Sequence, residues 1–150
     1  MSDNYHIDKK IGLLLWKTSN YWQNSIKRVL SEYSLTFNEF IILETLLFES
    51  KKNITQIYLS KSSGVNISVV STALKTLENK LLIKKNIDID NRKKIIELTK
   101  NAITLTKKIS PIIERLEKNF FSKLGSEELN FTNSMKIVLG KKIRIKADKK

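Results

Sequence analysis

Residues Thr55–Thr99 read TQIYLSKSSGVNISVVSTALKTLENKLLIKKNIDIDNRKKIIELT. Thr55 is placed to cap a short helix from Gln56 to about Ser62 that buries Ile57 and Leu59. Gly64 ends that helix, because glycine takes the left-handed conformation that lets one helix stop just before the next begins. Asn66 then caps a second helix running to about Asn79, and two short helices joined by a tight glycine turn form a helix-turn-helix. From Leu82 to Ile89, and again over Ile95, Ile96 and Leu98, apolar β-branched residues predict two strands. The polar turn Asp88-Ile-Asp90-Asn-Arg92-Lys-Lys94 joins them into a hairpin. A hairpin directly after a helix-turn-helix is the wing of a winged helix.

Upstream, Thr36-Phe-Asn-Glu39 has the form of a capping box and opens a helix through Glu49, with Phe40, Leu43, Leu47 and Ile41 facing inward. Before it, Ile11, Leu15, Thr18, Trp22, Ile26, Val29 and Tyr33 recur every three or four residues, which predicts a long helix from Asp8 to about Glu32. Two tryptophans on that helix require a partner surface, on another element or another chain. Downstream, Thr99 caps a long helix through Ile103, Ile109, Ile112, Ile113, Leu116 and Phe120, in which Pro111 removes one hydrogen bond and bends the axis. Ser126, followed by Glu127 and Glu128, caps a final helix through Leu129, Met135, Val138 and Leu139. The expected fold class is mainly α with a small β-hairpin wing. A winged helix-turn-helix over about 36–99 joins dimerisation helices over about 8–32 and 100–139, and a basic tail over 140–150, in one domain.

Composition narrows the function. The 28 Lys plus Arg against 15 Asp plus Glu leave a net charge of +13. One origin for it is AT-rich coding, since Lys, Ile and Asn are abundant throughout. The charge is nevertheless segregated: residues 1–50 carry a net −1, whereas residues 51–100 and 101–150 each carry +7. Drift spreads evenly, while an electrostatic footprint concentrates where a polyanion docks. The absence of Cys excludes disulfide scaffolds, thiolate zinc sites and thiol redox sensing. No Ser-His-Asp set, phosphate loop or cluster of metal ligands can be assembled around the single His6, so no enzyme activity, cofactor or metal is expected. No apolar run approaches a membrane span and no signal peptide is evident, which places the chain in the cytoplasm, away from membranes.

On the second helix of the pair, a 100° projection sets Ile67, Val70, Leu74, Leu77 and Leu81 on one side. Ser68, Thr72, Lys75 and Asn79 lie opposite, with Val69, Ser71 and Thr76 on the flanks. Short side chains almost free of acid let a helix approach base edges, with Lys75 on a phosphate. An ordinary solvated face reads the same, and only its place in a helix-turn-helix favours DNA. In the hairpin, Asp90 precedes Arg92 by two residues and is placed to hold its guanidinium for a narrow A·T minor groove, with Lys93 and Lys94 on phosphates. The alternative is a polar turn with an incidental ion pair. Trp16, Tyr21, Trp22 and Phe40 either line an aromatic effector pocket or form plain core, as stripes at helical spacing more often do.

These residues resemble the MarR family of bacterial winged-helix regulators. The likeness lies in Leu77-Glu78 followed by Leu82-Ile83, the wing Asp90-Asn-Arg92 and the Leu98-Thr99 that opens the next helix. It extends to Gly12-Leu-Leu-Leu-Trp16, Asn20-Tyr-Trp22-Gln23, Leu35-Thr36 with Phe40, and Pro111 with Phe120-Phe121, covering about residues 10–139. The resemblance implies a homodimer whose first, fifth and sixth helices intertwine and whose two lobes read a pseudo-palindromic operator in double-stranded DNA. By position, Ser68, Val69, Ser71 and Thr72 face bases, Lys75 faces phosphate, and Arg92 enters the minor groove beside Asp90. It also implies a repressor released by a small, often aromatic, effector. Departures stand at Leu81 and Ala102, where the family usually has glycine, and at Lys85, where it usually has arginine. The alternative function is a non-specific nucleoid-associated or RNA-binding protein.

Overall fold

The structure is a computed structural model that describes residues 5–49, 51–90 and 92–143. A 3-10 turn over His6–Lys9 precedes helix α1 (Ile11–Glu32), then α2 (Phe37–Phe48), α3 (Gln56–Ser63) and α4 (Ile67–Asn79). Strands β1 (Ile83–Ile87) and β2 (Lys94–Leu98), helix α5 (Lys100–Phe121), a second 3-10 turn (Ser122–Glu127) and α6 (Glu128–Val138) follow. Residues up to Leu116 form one compact unit and those from Glu117 a second. Among the described residues no helix is long and apolar enough to cross a membrane.

Capping fixes the starts of α2 and α3. The Thr36 hydroxyl accepts the Glu39 N–H (3.2 Å), and the Glu39 carboxylate accepts the Thr36 N–H (2.9 Å), so the capping box is complete. Thr55 accepts from the Tyr58 N–H, and Gly64, at φ 79°, ends α3 in the left-handed region. Antiparallel β1 and β2 pair from Ile83 with Leu98 to Ile87 with Lys94. The Ile96 N–H also donates to the Ile54 carbonyl (2.8 Å), tying the wing to the loop ahead of α3. Thr99 joins wing to α5: its hydroxyl accepts from the Ala102 N–H and donates to the Leu81 carbonyl. Ile26, Leu30, Ile42, Leu43, Leu59, Leu74, Leu77 and Ile109, all fully buried, form the centre of the core. Ala102 is buried with no exposed surface, so the side chain standing at that position in place of glycine is accommodated.

Several expectations are corrected. Ile57 is 60% exposed, because α3 buries only Leu59. In α2 the deeply buried positions are Phe40, Ile42 and Leu43 with the capping Glu39, while Ile41 and Leu47 are half-buried. The buried side of α4 is Val70, Ala73, Leu74 and Leu77; Ile67 and Leu81 lie at its ends and are exposed. Ser126 does not cap α6: it falls in the 3-10 turn, where Gly125 leaves helical geometry, and Glu127 takes the cap position without a side-chain bond. The N-terminal helix begins at Ile11, since Lys10 is extended (φ −122°, ψ 120°). Pro111 stands inside α5, where the helix spacing places it. Of the basic tail, residues 144–150 lie outside the described residues.

Candidate nucleic-acid interface

Helix α4 holds its outward face from the first turn. The Asn66 carboxamide oxygen accepts both the Ser68 N–H (2.9 Å) and the Ser68 hydroxyl (2.7 Å). Thr72 donates its hydroxyl to the Ser68 carbonyl and Thr76 to the Thr72 carbonyl, each at 3.2 Å. These hydroxyl protons are spent within the helix, so Ser68 and Thr72 present lone pairs and a methyl group outward. Such a face suits amino-group donors and thymine methyls at base edges. Ser68, Val69, Thr72 and Lys75 are exposed, and Ser71 is half-buried.

A cleft of about 410 Å³ runs beside this face, lined by Thr36, Asn38 and Glu39 from the start of α2 and by Ser68, Val69, Thr72, Ala73 and Thr76 from α4. The sequence reading missed Asn38 here; only its place just after the cap of α2 signals it. Two further lysines of the segment are engaged by acids: Lys84 pairs with Glu97 across the strand register (3.6 Å), and Lys85 with Glu78 (3.7 Å). Lys85, which stands where the resembled family usually has arginine, is therefore paired with Glu78.

In the wing, the Asp88 N–H donates to the Lys93 carbonyl (2.7 Å) and closes the loop, while the Asp90 N–H donates to the Asp88 carboxylate (3.1 Å). Arg92, Lys93 and Lys94 are exposed, and Arg92 sits at φ 50°. Among the described residues no ion pair joins Asp90 to Arg92. The expected bidentate hold is not formed here, because the tip is organised by backbone bonds to Asp88 and Lys93 instead.

The aromatic residues differ widely in burial, with Tyr21 61% exposed. Trp16 is 67% exposed and Phe40 only 4%. Trp22 is half-buried with its ring edge-on to Phe37 (5.2 Å), and its indole N–H is buried without a hydrogen-bond partner among the described residues. The described residues contain no group of three His, Cys, Asp or Glu side chains able to hold a metal.

Comparison with known proteins agrees with this fold. The family model for the transcriptional regulator SarA/Rot matches residues 24–109. The HTH-type transcriptional regulator YdcH of Bacillus subtilis is 29% identical over 131 residues, covering 85% of this chain and 88% of that protein. The Staphylococcus aureus MepR–DNA complex superposes with a TM-score of 0.78 at 22% identity, covering 87% of this chain and 97% of MepR. Bordetella bronchiseptica BpsR, whose DNA binding is regulated by 6-hydroxynicotinic acid, gives 0.80 at 18%, covering 92% and 99%. The family match spans more than half of the chain and contains the helix-turn-helix and the whole wing. On a MarR-type winged-helix fold, this chain belongs to the SarA/Rot family of transcriptional regulators.

Proposed function

We propose that this regulator is a cytoplasmic, non-enzymatic homodimer that reads a pseudo-palindromic operator with α4 in successive major grooves. Arg92 enters the flanking minor groove, with Lys75, Lys93 and Lys94 on phosphates. The observation that carries this reading is the acid-free outward face of Ser68, Val69, Thr72 and Lys75, whose hydroxyl donors are already satisfied within the helix. MepR, which shares the fold, was crystallised with DNA. The dimer is supported by the first half of α1, where Ile11 is 89% and Trp16 67% exposed. DNA-bound, the dimer represses, and a small aromatic molecule releases it; BpsR, of like fold, responds to such a molecule.

The test is enrichment of duplexes from a randomised pool, followed by affinity for the winner and for a shuffled duplex at matched salt. Operator reading gives a preference of about 10³ or more, whereas a nucleoid-type or RNA-binding protein gives a ratio near one.

A further inference from the structure

We propose that Lys80 is a positioning residue whose ammonium, bound to Glu39 and to the Ser34 carbonyl, fixes the pitch of α4 against α1 and α2. Its charge thereby serves operator discrimination without touching a phosphate. This inference rests on the DNA-reading function proposed above.

Lys80 stands at the C-terminal end of α4. Its Nζ lies 3.1 Å from both Glu39 carboxylate oxygens and also donates to the Ser34 carbonyl. An ammonium has three N–H donors, and here three oxygens take them, so none remains for DNA. Glu39 is the capping carboxylate of α2: one of its oxygens also receives the Thr36 N–H, and its side chain is only 3% exposed. Ser34, at φ 56°, lies in the turn that leaves α1. One charge cluster, buried at Glu39 and one-third exposed at Lys80, thus joins the end of α1, the start of α2 and the end of the reading helix. It differs in kind from Lys84–Glu97 and Lys85–Glu78, whose acids are about half exposed and which contribute little.

Pitch matters only for specific DNA. Two reading helices must reach half-sites about 34–36 Å apart, so a tilt of α4 against the arm misplaces both together. Non-specific affinity counts charges and is indifferent to such a tilt.

Lys80→Met alone strands Glu39 as a buried unpaired charge, so the informative protein is the double variant E39Q/K80M, in which the amide oxygen still accepts the Thr36 N–H. Glu39→Gln alone is the second variant; it keeps the lysine charge, keeps the cap and loosens the clamp. Urea midpoints are measured first. Affinities follow, for the duplex that the wild-type protein enriches from a randomised pool and for a shuffled duplex, across a salt series. Both variants are expected to fold, to bind the enriched duplex about tenfold more weakly, and to hold the shuffled duplex within about twofold with an unchanged salt slope. Lys80 is a phosphate ligand, and the proposal fails, if the double variant loses affinity for both duplexes equally with a slope reduced by about one while Glu39→Gln binds as well as wild type or better. Wild-type affinity for the enriched duplex in folded variants also overturns it, leaving the pair a folding device. A wild-type protein that enriches no duplex removes the DNA-reading function and this inference together, an outcome distinct from the others.

Discussion

Leu81 holds a backbone conformation ordinarily left to glycine, at φ 60°, with 71% of its surface exposed. It ends α4: its N–H donates to the Glu78 carbonyl and the Leu82 N–H to the Leu77 carbonyl, the six-to-one bond of a left-handed helix stop. An L-residue in that region costs about 1–2 kcal/mol, while glycine forfeits roughly 0.5–1 kcal/mol of chain entropy on folding. Little burial is lost with so exposed a side chain, so Leu81→Gly is expected to raise stability by about 0.5–1 kcal/mol, read as a higher urea midpoint. A lower midpoint would mean that the leucine side chain makes a contact outweighing the strain. Charge at single residues separates by role. Lys75→Ala is expected to weaken enriched and shuffled duplexes alike and reduce the salt slope by about one. Arg92→Ala is expected to cost about 1–2 kcal/mol chiefly on duplexes with A·T-rich flanks, because a narrow groove concentrates negative potential. Equal binding by both variants and wild type would refute these two roles.

Elements were legible where spacing and caps agreed. The capping box at Thr36, the caps at Thr55 and Asn66 and the stop at Gly64 all stand as the residue types dictate, because each is a local hydrogen-bond or torsional requirement. Gly64→Ala tests the last of these. A Cβ built there meets nothing within 4 Å, so only the torsion at φ 79° opposes it. Its expected cost is about 1 kcal/mol in thermal or urea unfolding, with no steric surplus. Burial was less legible. In α3, eight residues make barely two turns, and spacing alone cannot choose between Ile57 and Leu59; the choice falls to what packs above, and Leu59 goes in. In α2 the unbroken apolar run Phe40-Ile-Ile-Leu43 blurs any stripe, and Ile42 proves fully buried. Ser126 looked like a cap because the break imposed by Gly125 spreads into a 3-10 turn that no cap residue marks. At the site, projection at 100° found the outward face of α4, but it could not show that Ser68 and Thr72 spend their hydroxyl protons internally. Nor could it find Lys80 and Glu39, which lie 41 positions apart and share no periodic pattern.

At the scale of the whole molecule, the distribution of apolar surface is what supports the proposed dimer. The second half of α1 buries Ile26 and Leu30 completely, whereas its first half leaves Ile11, Leu13, Leu14, Leu15 and Trp16 between 40% and 89% exposed. Consecutive exposed apolar side chains of this size exceed what an isolated chain normally shows to water, and large exposed apolar patches mark interaction surfaces. Covering them with a second copy places two reading helices on one assembly, which is what a two-fold operator needs. The double substitution Ile11→Asp with Trp16→Glu discriminates between an interface and an idle surface. If the surface is idle, side chains this exposed change stability by no more than about 0.5 kcal/mol and nothing else. If it is the dimer face, sedimentation should show monomers where the wild type is dimeric, since buried aromatic anchors carry about 2 kcal/mol or more of association each. Helix content by circular dichroism should stay close to wild type. Affinity for the enriched duplex should then fall by about 10² or more, because each lobe loses the effective concentration that linkage to its twin supplies. Affinity for a shuffled duplex, counted per protomer, depends on charge and should change far less, apart from the repulsion that two added acids bring. A wild-type protein that sediments as a monomer while retaining full preference for its enriched duplex would separate reading from dimerisation and refute this assembly.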